Sequence, residues 1–218
     1  NCLKSVAAED RNLIPQSTLY VSLEPCSHYG KTPPCADLII QEKIGSVKVG
    51  CIDINKKVRG QGILRLRNAG VKVDIDICTQ ECFALNKRFF TFHTLQRPYI
   101  ILKWAQSQNG KIGIKDKRVQ ISNKYTNKLV HKWRSEEASI LIGNSTAQVD
   151  DPMLTNRFGS GRNPVRIVLA GNRPPENLKM YNQEGRTIVF NKRLQKETDK
   201  VTYIKIDGEE YLEEVVNK

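Results

Sequence analysis

Thr18-Leu19-Tyr20-Val21-Ser22-Leu23, then Ala36 to Lys43, then Val47-Lys48-Val49-Gly50-Cys51-Ile52 is the stretch on which the fold turns. The first and third runs are rich in β-branched and aromatic residues, while the middle one carries helix formers and stops at Gly45. Strand, helix, strand in this order predicts a parallel pair joined by a crossover helix. The pattern continues outward. Ile63 to Asn68 reads as a helix closed by Gly70, Val71 to Ile77 alternates at period two, and Thr79 is expected to cap a third helix running toward His93. The expectation is an α/β sheet with helices on its faces.

The alternation breaks at Thr94-Leu95-Gln96-Arg97-Pro98, and we place a domain boundary there, dividing the chain into residues 1–97 and 98–218. The second part begins with an apolar run, Tyr99 to Ala105, expected to be a strand. A helix from Asn123 to Glu137 follows, with Tyr125, Leu129, Val130 and Trp133 on one face that is expected to be core. Further strands are predicted at Ile140–Ile142, Val165–Leu169, Thr187–Phe190 and Val201–Ile206. Tyr211 to Lys218 reads as a helix interrupted in mid-turn and the first residue is Asn1, so the expectation is a fragment.

With 39% hydrophobic and 27% charged residues the composition is that of a folded globular chain, and 218 positions allow one large domain or two small ones. No apolar run is long enough for a membrane helix and no basic-then-apolar leader is present, which points to a cytoplasmic protein without a membrane partner. The net charge of +12 is spread over both parts rather than gathered into an arm. Small anions suit such a surface better than a polynucleotide.

The cysteines fall at 2, 26, 35, 51, 78 and 82. Cys51 and Cys78 lie in strand patterns and read as core; Cys2 and Cys82 carry no partner signal. Cys26 and Cys35 differ, because a strand ends at Glu24-Pro25-Cys26 and a proline-rich loop carries Cys35 to the start of a helix, where thiolates suit tetrahedral Zn²⁺. This segment resembles the zinc loop of the cytidine-deaminase-like superfamily. Its eight intervening residues, with Ser27-His28 and Thr32-Pro33-Pro34, are similar to the riboflavin-biosynthesis deaminases rather than to nucleobase deaminases, whose cysteines sit closer together. The resemblance implies metal ligands Cys26 and Cys35, and places the third ligand, a His, and the proton-shuttling Glu ahead of Asn1. On that reading this chain by itself does not deaminate; His28 is read as a surface or substrate-facing group. Asp53-Ile54-Asn55 and the glycines of Val58-Arg59-Gly60-Gln61-Gly62 stand where that family has a ligand-approaching loop.

Tyr99 to Ile112 resembles the first strand and loop of the riboflavin-pathway reductases, whose fold is like dihydrofolate reductase. No Gly-x-Gly-x-x-Gly fingerprint occurs. The longest match joins Val130-His131-Lys132-Trp133-Arg134-Ser135 to Ile142 through Arg157. Guanidinium forks meet phosphate oxygens bidentately, so Arg134 and Arg157 are candidates for a substrate phosphate. The resemblance further implies that Lys103, Ser122 and Leu154 contact substrate and that Ala105, Gln120, Thr146 and Asp150 contact NADPH. Its full implication is an α/β chain with a cytidine-deaminase-like N-terminal domain followed by a dihydrofolate-reductase-like domain, both incomplete, the sheet continuing past Lys218 to a Gly-rich cofactor loop. Together they would deaminate a phosphorylated diamino-pyrimidinone ribosylamine with Zn²⁺ and reduce its ribosyl group to ribityl with NADPH. Homo-oligomerisation is left open. The rival reading, from the positive charge, is a nucleic-acid-binding protein on an inactive deaminase-like fold; it lacks the interleaved aromatics of such surfaces.

Overall fold

In the computed structural model, which describes residues 2–30, 32–55, 58–115, 117, 119–208 and 211–217, the N-terminal alternation becomes a parallel three-stranded sheet. The chain divides into two units, Asn1–Ile100 and Ile101–Lys218. In the first, β1 (Thr18–Leu23), β2 (Ser46–Cys51) and β3 (Lys72–Asp74) lie in sequence order, with α1 (Cys35–Gln41) and α2 (Gln61–Asn68) as the crossovers. Val47 and Val49 of β2 and Val73 of β3 meet Ala36, Ile39, Ile63 and Leu66 of the helices in one core. Period two on the strands and period 3.6 on the helices are thus buried against each other.

The segment from β3 to Leu95 departs from expectation. Regular pairing stops at Asp74, and Cys78 is exposed with a left-handed φ of 50° rather than buried in a strand. Thr79 is the first residue of α3 (Thr79–Leu85), not its cap, and its hydroxyl donates to the Gly50 carbonyl at 3.3 Å. The single helix foreseen is two, α3 and α4 (Lys87–Leu95), broken at Asn86, whose side-chain amide donates to Cys82 O at 2.8 Å. Asn86 competes with the helix for its own backbone carbonyls.

The second unit carries a five-stranded sheet of order β4-β5-β6-β8-β7: β4 (Ser139–Gly143), β5 (Val165–Gly171), β6 (Thr187–Asn191), β7 (Lys196–Glu197) and β8 (Val201–Lys205). All pairs are parallel except β7 with β8. One face packs Val168, Ala170 and Val189 against Ala147 of α6 (Asn144–Asp150), Leu178 and Met180; the other holds Phe190, Ile206 and Val215 of α7 (Tyr211–Asn217). Arg166 is fully buried in β5, its guanidinium donating to Thr187 Oγ1 and to the carbonyls of Glu184 and Gly185, which ties the 183–187 turn to the sheet.

Two expectations fail here. Tyr99 to Ala105 has no regular secondary structure and belongs to no sheet among the described residues, and Leu102 and Trp104 are exposed. A strand is stable only through a partner's hydrogen bonds, which local propensity does not supply. The apolar face of α5 (Lys124–Glu136) is not core: Tyr125, Leu129 and Trp133 are all substantially exposed.

Candidate active site

Asn123 starts α5 by accepting the backbone N–H groups of Tyr125 and Thr126 on Oδ1, both at 3.0 Å. Helix periodicity then sets His131 and Arg134 on one face. They meet a loop bent by two left-handed residues, Asp151 at φ 38° and Leu154 at φ 55°. Arg134 Nη1 donates to the Thr155 carbonyl at 3.3 Å, and the Arg157 backbone N–H donates to His131 Nδ1 at 3.0 Å. Arg157 Nη2 lies 3.4 Å from His131 Nε2. Arg134 and Arg157 therefore converge beside one imidazole.

The described residues give this cluster two cations and a buried imidazole. Arg134 Nε is buried with no partner among the described residues. Burial, with a contribution from Arg157, lowers the Arg134 pKa; burial, then Arg134 and Arg157, holds the His131 imidazole below its ordinary 6.5. Neither arginine has a carboxylate in the ion pairs formed by the described residues. Such a site wants an anion, because a buried charge without a counter-charge costs several kcal/mol.

The exposed face of α5 serves a second purpose. Leu129 and Trp133 form one wall of an open groove of about 520 Å³ whose other walls include Lys103, Trp104, Ala105 and Ser122. Of the residues singled out by sequence, Lys103, Ala105 and Ser122 share this groove. Gln120 does not line it and commits its side-chain N–H to the Ser122 carbonyl at 2.6 Å. Thr146 and Asp150 lie one turn apart on α6, which follows the carboxyl end of β4, and Leu154 is buried in the bent loop. The carboxyl edge of a parallel sheet is where open α/β folds bind ligands. There Asn144 Oδ1 is a buried acceptor without a partner among the described residues and the space beside Gly143 is open, so this edge fits a ligand that offers a hydrogen-bond donor.

In the first unit Cys26 and Cys35 come together across the proline loop: the Cys35 backbone N–H donates to Cys26 Sγ at 3.2 Å. The helix start was expected to favour the Cys35 thiolate. Instead burial, the hydrogen bond to Cys26 and the charge of its neighbour raise the Cys35 pKa. Among the described residues no group of three or more His, Cys, Asp or Glu side chains could hold a metal. The pair supplies two donors where structural and catalytic zinc takes at least three from protein, so the expected Zn²⁺ site is not complete in these residues. His28 is exposed.

Two buried groups that organise these sites had no role in the sequence reading. His131 is one; its spacing to Arg134 was the available signal. Glu24 is the other. Its Oε2 accepts from Asp53 N at 3.1 Å and Gly60 N at 2.9 Å, and its Oε1 from Gly62 N at 2.9 Å and Ile63 N at 3.3 Å. The glycines read as room for a ligand have another use: a Cβ on Gly62 would collide with the Pro25 carbonyl, so Gly62 lets two segments of the unit close on each other.

A family model described as the RibD C-terminal domain matches residues 98–217. The chain belongs to the RibD family. It is 42% identical over 200 residues to the riboflavin biosynthesis protein RibD of Aquifex aeolicus, covering 90% of this chain and 55% of that protein. The Escherichia coli protein of the same name is 33% identical over 186 residues, 78% of this chain and 51% of that one. A crystal structure from Thermotoga maritima, described as a diaminohydroxyphosphoribosylaminopyrimidine deaminase and 5-amino-6-(5-phosphoribosylamino)uracil reductase, superposes with a TM-score of 0.80 at 33% identity. It matches 92% of this chain and 57% of its own. Acinetobacter baumannii RibD superposes with a TM-score of 0.82 at 30% identity, over 93% of this chain and 60% of its own. The chain thus spans little more than half the length of the relatives it matches, and the part the family model covers is the RibD reductase part, an α/β fold with a parallel sheet.

Proposed function

We propose that residues 98–218 bind a phosphorylated pyrimidine ribosylamine and serve its NADPH-dependent reduction, and that residues 1–97 are a cytidine-deaminase-like domain. The observation that carries the first part is the convergence of Arg134 and Arg157 beside one imidazole, with neither paired to a carboxylate in the ion pairs of the described residues. A phosphate supplies the missing charge and takes both guanidinium forks. The groove beside α5 seats the rest of the substrate, its aromatic wall at Trp133 matching a planar base and Lys103 and Ser122 meeting the ribosyl part. NADPH, when bound, supplies the hydride; Ala105, Thr146 and Asp150 are the residues assigned to hold it. Gln120 is a weaker member of that set, since its amide is engaged locally.

The deaminase assignment is supported by the parallel β1-β2-β3 sheet, by the paired thiols Cys26 and Cys35, and by a relative whose description carries both activities. Riboflavin biosynthesis is the pathway in which the family relatives are named, and a small phosphorylated substrate is the partner this reading implies. No helix among the described residues is long and apolar enough to cross a membrane.

The deciding experiment is a pair of titrations on wild type and Arg134→Ala, one with ribose 5-phosphate and one with NADPH. Loss of the sugar phosphate by about tenfold or more with NADPH retained supports the assignment; equal loss of both overturns it.

A further inference from the structure

Arg157 projects from an exposed loop, yet a phosphate site requires its guanidinium to be held in place. The loop holds it through an unusual contact. His131 is 3% exposed and lies on α5, and its Nδ1 accepts the Arg157 backbone N–H at 3.0 Å. A backbone amide can only donate, so Nδ1 carries the lone pair and the proton of the neutral ring sits on Nε2. That Nε2–H faces Arg157 Nη2 at 3.4 Å, donor against donor, with no acceptor between them among the described residues. The Phe158 ring closes the remaining side, edge-on to the imidazole at 4.6 Å between centroids. An oxygen reached by both donors relieves the opposition.

We infer that His131 is the positioning residue of the phosphate site: through its Nδ1 it anchors the main chain of Arg157, and so fixes where that guanidinium meets the anion. This rests on the reading of Arg134 and Arg157 as phosphate ligands. His131 acts on affinity for the phosphate and leaves the groove residues Lys103 and Ser122 untouched. The acceptor at Nδ1 is what matters, and asparagine can supply one from nearly the same place, whereas phenylalanine keeps the ring and supplies none.

The test uses the chain with ribose 5-phosphate and ribose as probes, measured by calorimetric titration, with thermal melting as the folding control. The variants are His131→Asn, His131→Phe and Arg157→Ala. His131→Phe leaves the Arg157 amide without its partner and is expected to weaken ribose 5-phosphate binding by about tenfold. His131→Asn should restore most of that loss, and neither variant should change the weak binding of ribose. Equal losses in His131→Phe and His131→Asn, or a loss that extends to ribose, assign His131 a merely structural role and overturn the inference. Arg157→Ala separates the two levels of the argument. If it binds ribose 5-phosphate as wild type does, the phosphate site itself is wrong. If it loses binding while His131→Phe does not, the site stands and the role of His131 falls.

Discussion

Glu24 in the first unit is buried and Arg134 in the second is partly buried, each where a strand or helix ends, and the two are treated in opposite ways. Glu24, just past β1, has its carboxylate filled by four backbone N–H groups from the Asp53–Ile63 segment. Arg134, near the end of α5, keeps Nε buried and unpaired and has Arg157 for a neighbour. Backbone dipoles satisfy the first charge, so it holds the fold; the second has a buried Nε without a partner among the described residues, and on the proposed reading a substrate phosphate supplies its counter-charge.

Removing the saturated charge is expected to have the largest effect. Glu24→Ala leaves three buried amides and one part-buried amide without an acceptor, and at about 1–3 kcal/mol for each unsatisfied buried group the first unit should lose several kcal/mol, enough to unfold it in a denaturant titration followed by the fluorescence of a reporter in that unit. A loss under about 1 kcal/mol would show that these bonds are incidental. Gly62→Ala should act nearly as strongly, because its methyl group meets the Pro25 carbonyl.

Removing the unsaturated charge should leave stability unchanged or raise it slightly. Arg134→Ala takes away a desolvated cation and a single carbonyl contact, so its melting temperature is expected to match or exceed that of wild type while sugar-phosphate affinity falls by about tenfold or more. A melting temperature several degrees lower would erase the contrast with Glu24.

A smaller effect concerns pH. Burial, reinforced by Arg134 and Arg157, keeps the folded His131 pKa below 6.5. The unfolded chain therefore takes up this proton more readily than the folded one, and acid favours unfolding. The contribution of His131 to stability is complete above about pH 6.5 and is lost as the pH falls through the depressed folded value. Melting curves of the second unit between pH 7 and pH 5 should show this fall, and His131→Asn should flatten it; an unchanged slope would contradict the assignment.

The smallest effect is expected at the thiol pair. Cys26→Ala removes a hydrogen bond and a neighbouring charge that raise the Cys35 pKa, though not the burial that is its main cause. Alkylation of Cys35 near pH 8.5, followed by mass spectrometry, should accelerate a few-fold at most. Slower alkylation would reverse the reading.

Much of the molecule was legible residue by residue. Runs rich in β-branched and apolar residues located β1, β2, β5, β6 and β8, and the helix expected from Asn123 forms as α5, with Asn123 as its cap rather than its first residue. These features depend on neighbours within a few residues, and local sterics and caps are written into the local sequence. The motif match singled out Arg134 and Arg157, which the structure brings to the same imidazole. Other features were settled only when distant segments met. Tyr99 to Ala105 has strand composition but no ladder partner among the described residues, and the α5 stripe has core composition but walls an open groove. Glu24 gave no signal in the sequence and His131 only its spacing to Arg134, because their roles are defined by amides that arrive from far along the chain, up to 39 positions away for Glu24 and 26 for His131. A side chain's own chemistry states what it can accept; only the tertiary structure decides which donor is brought to it.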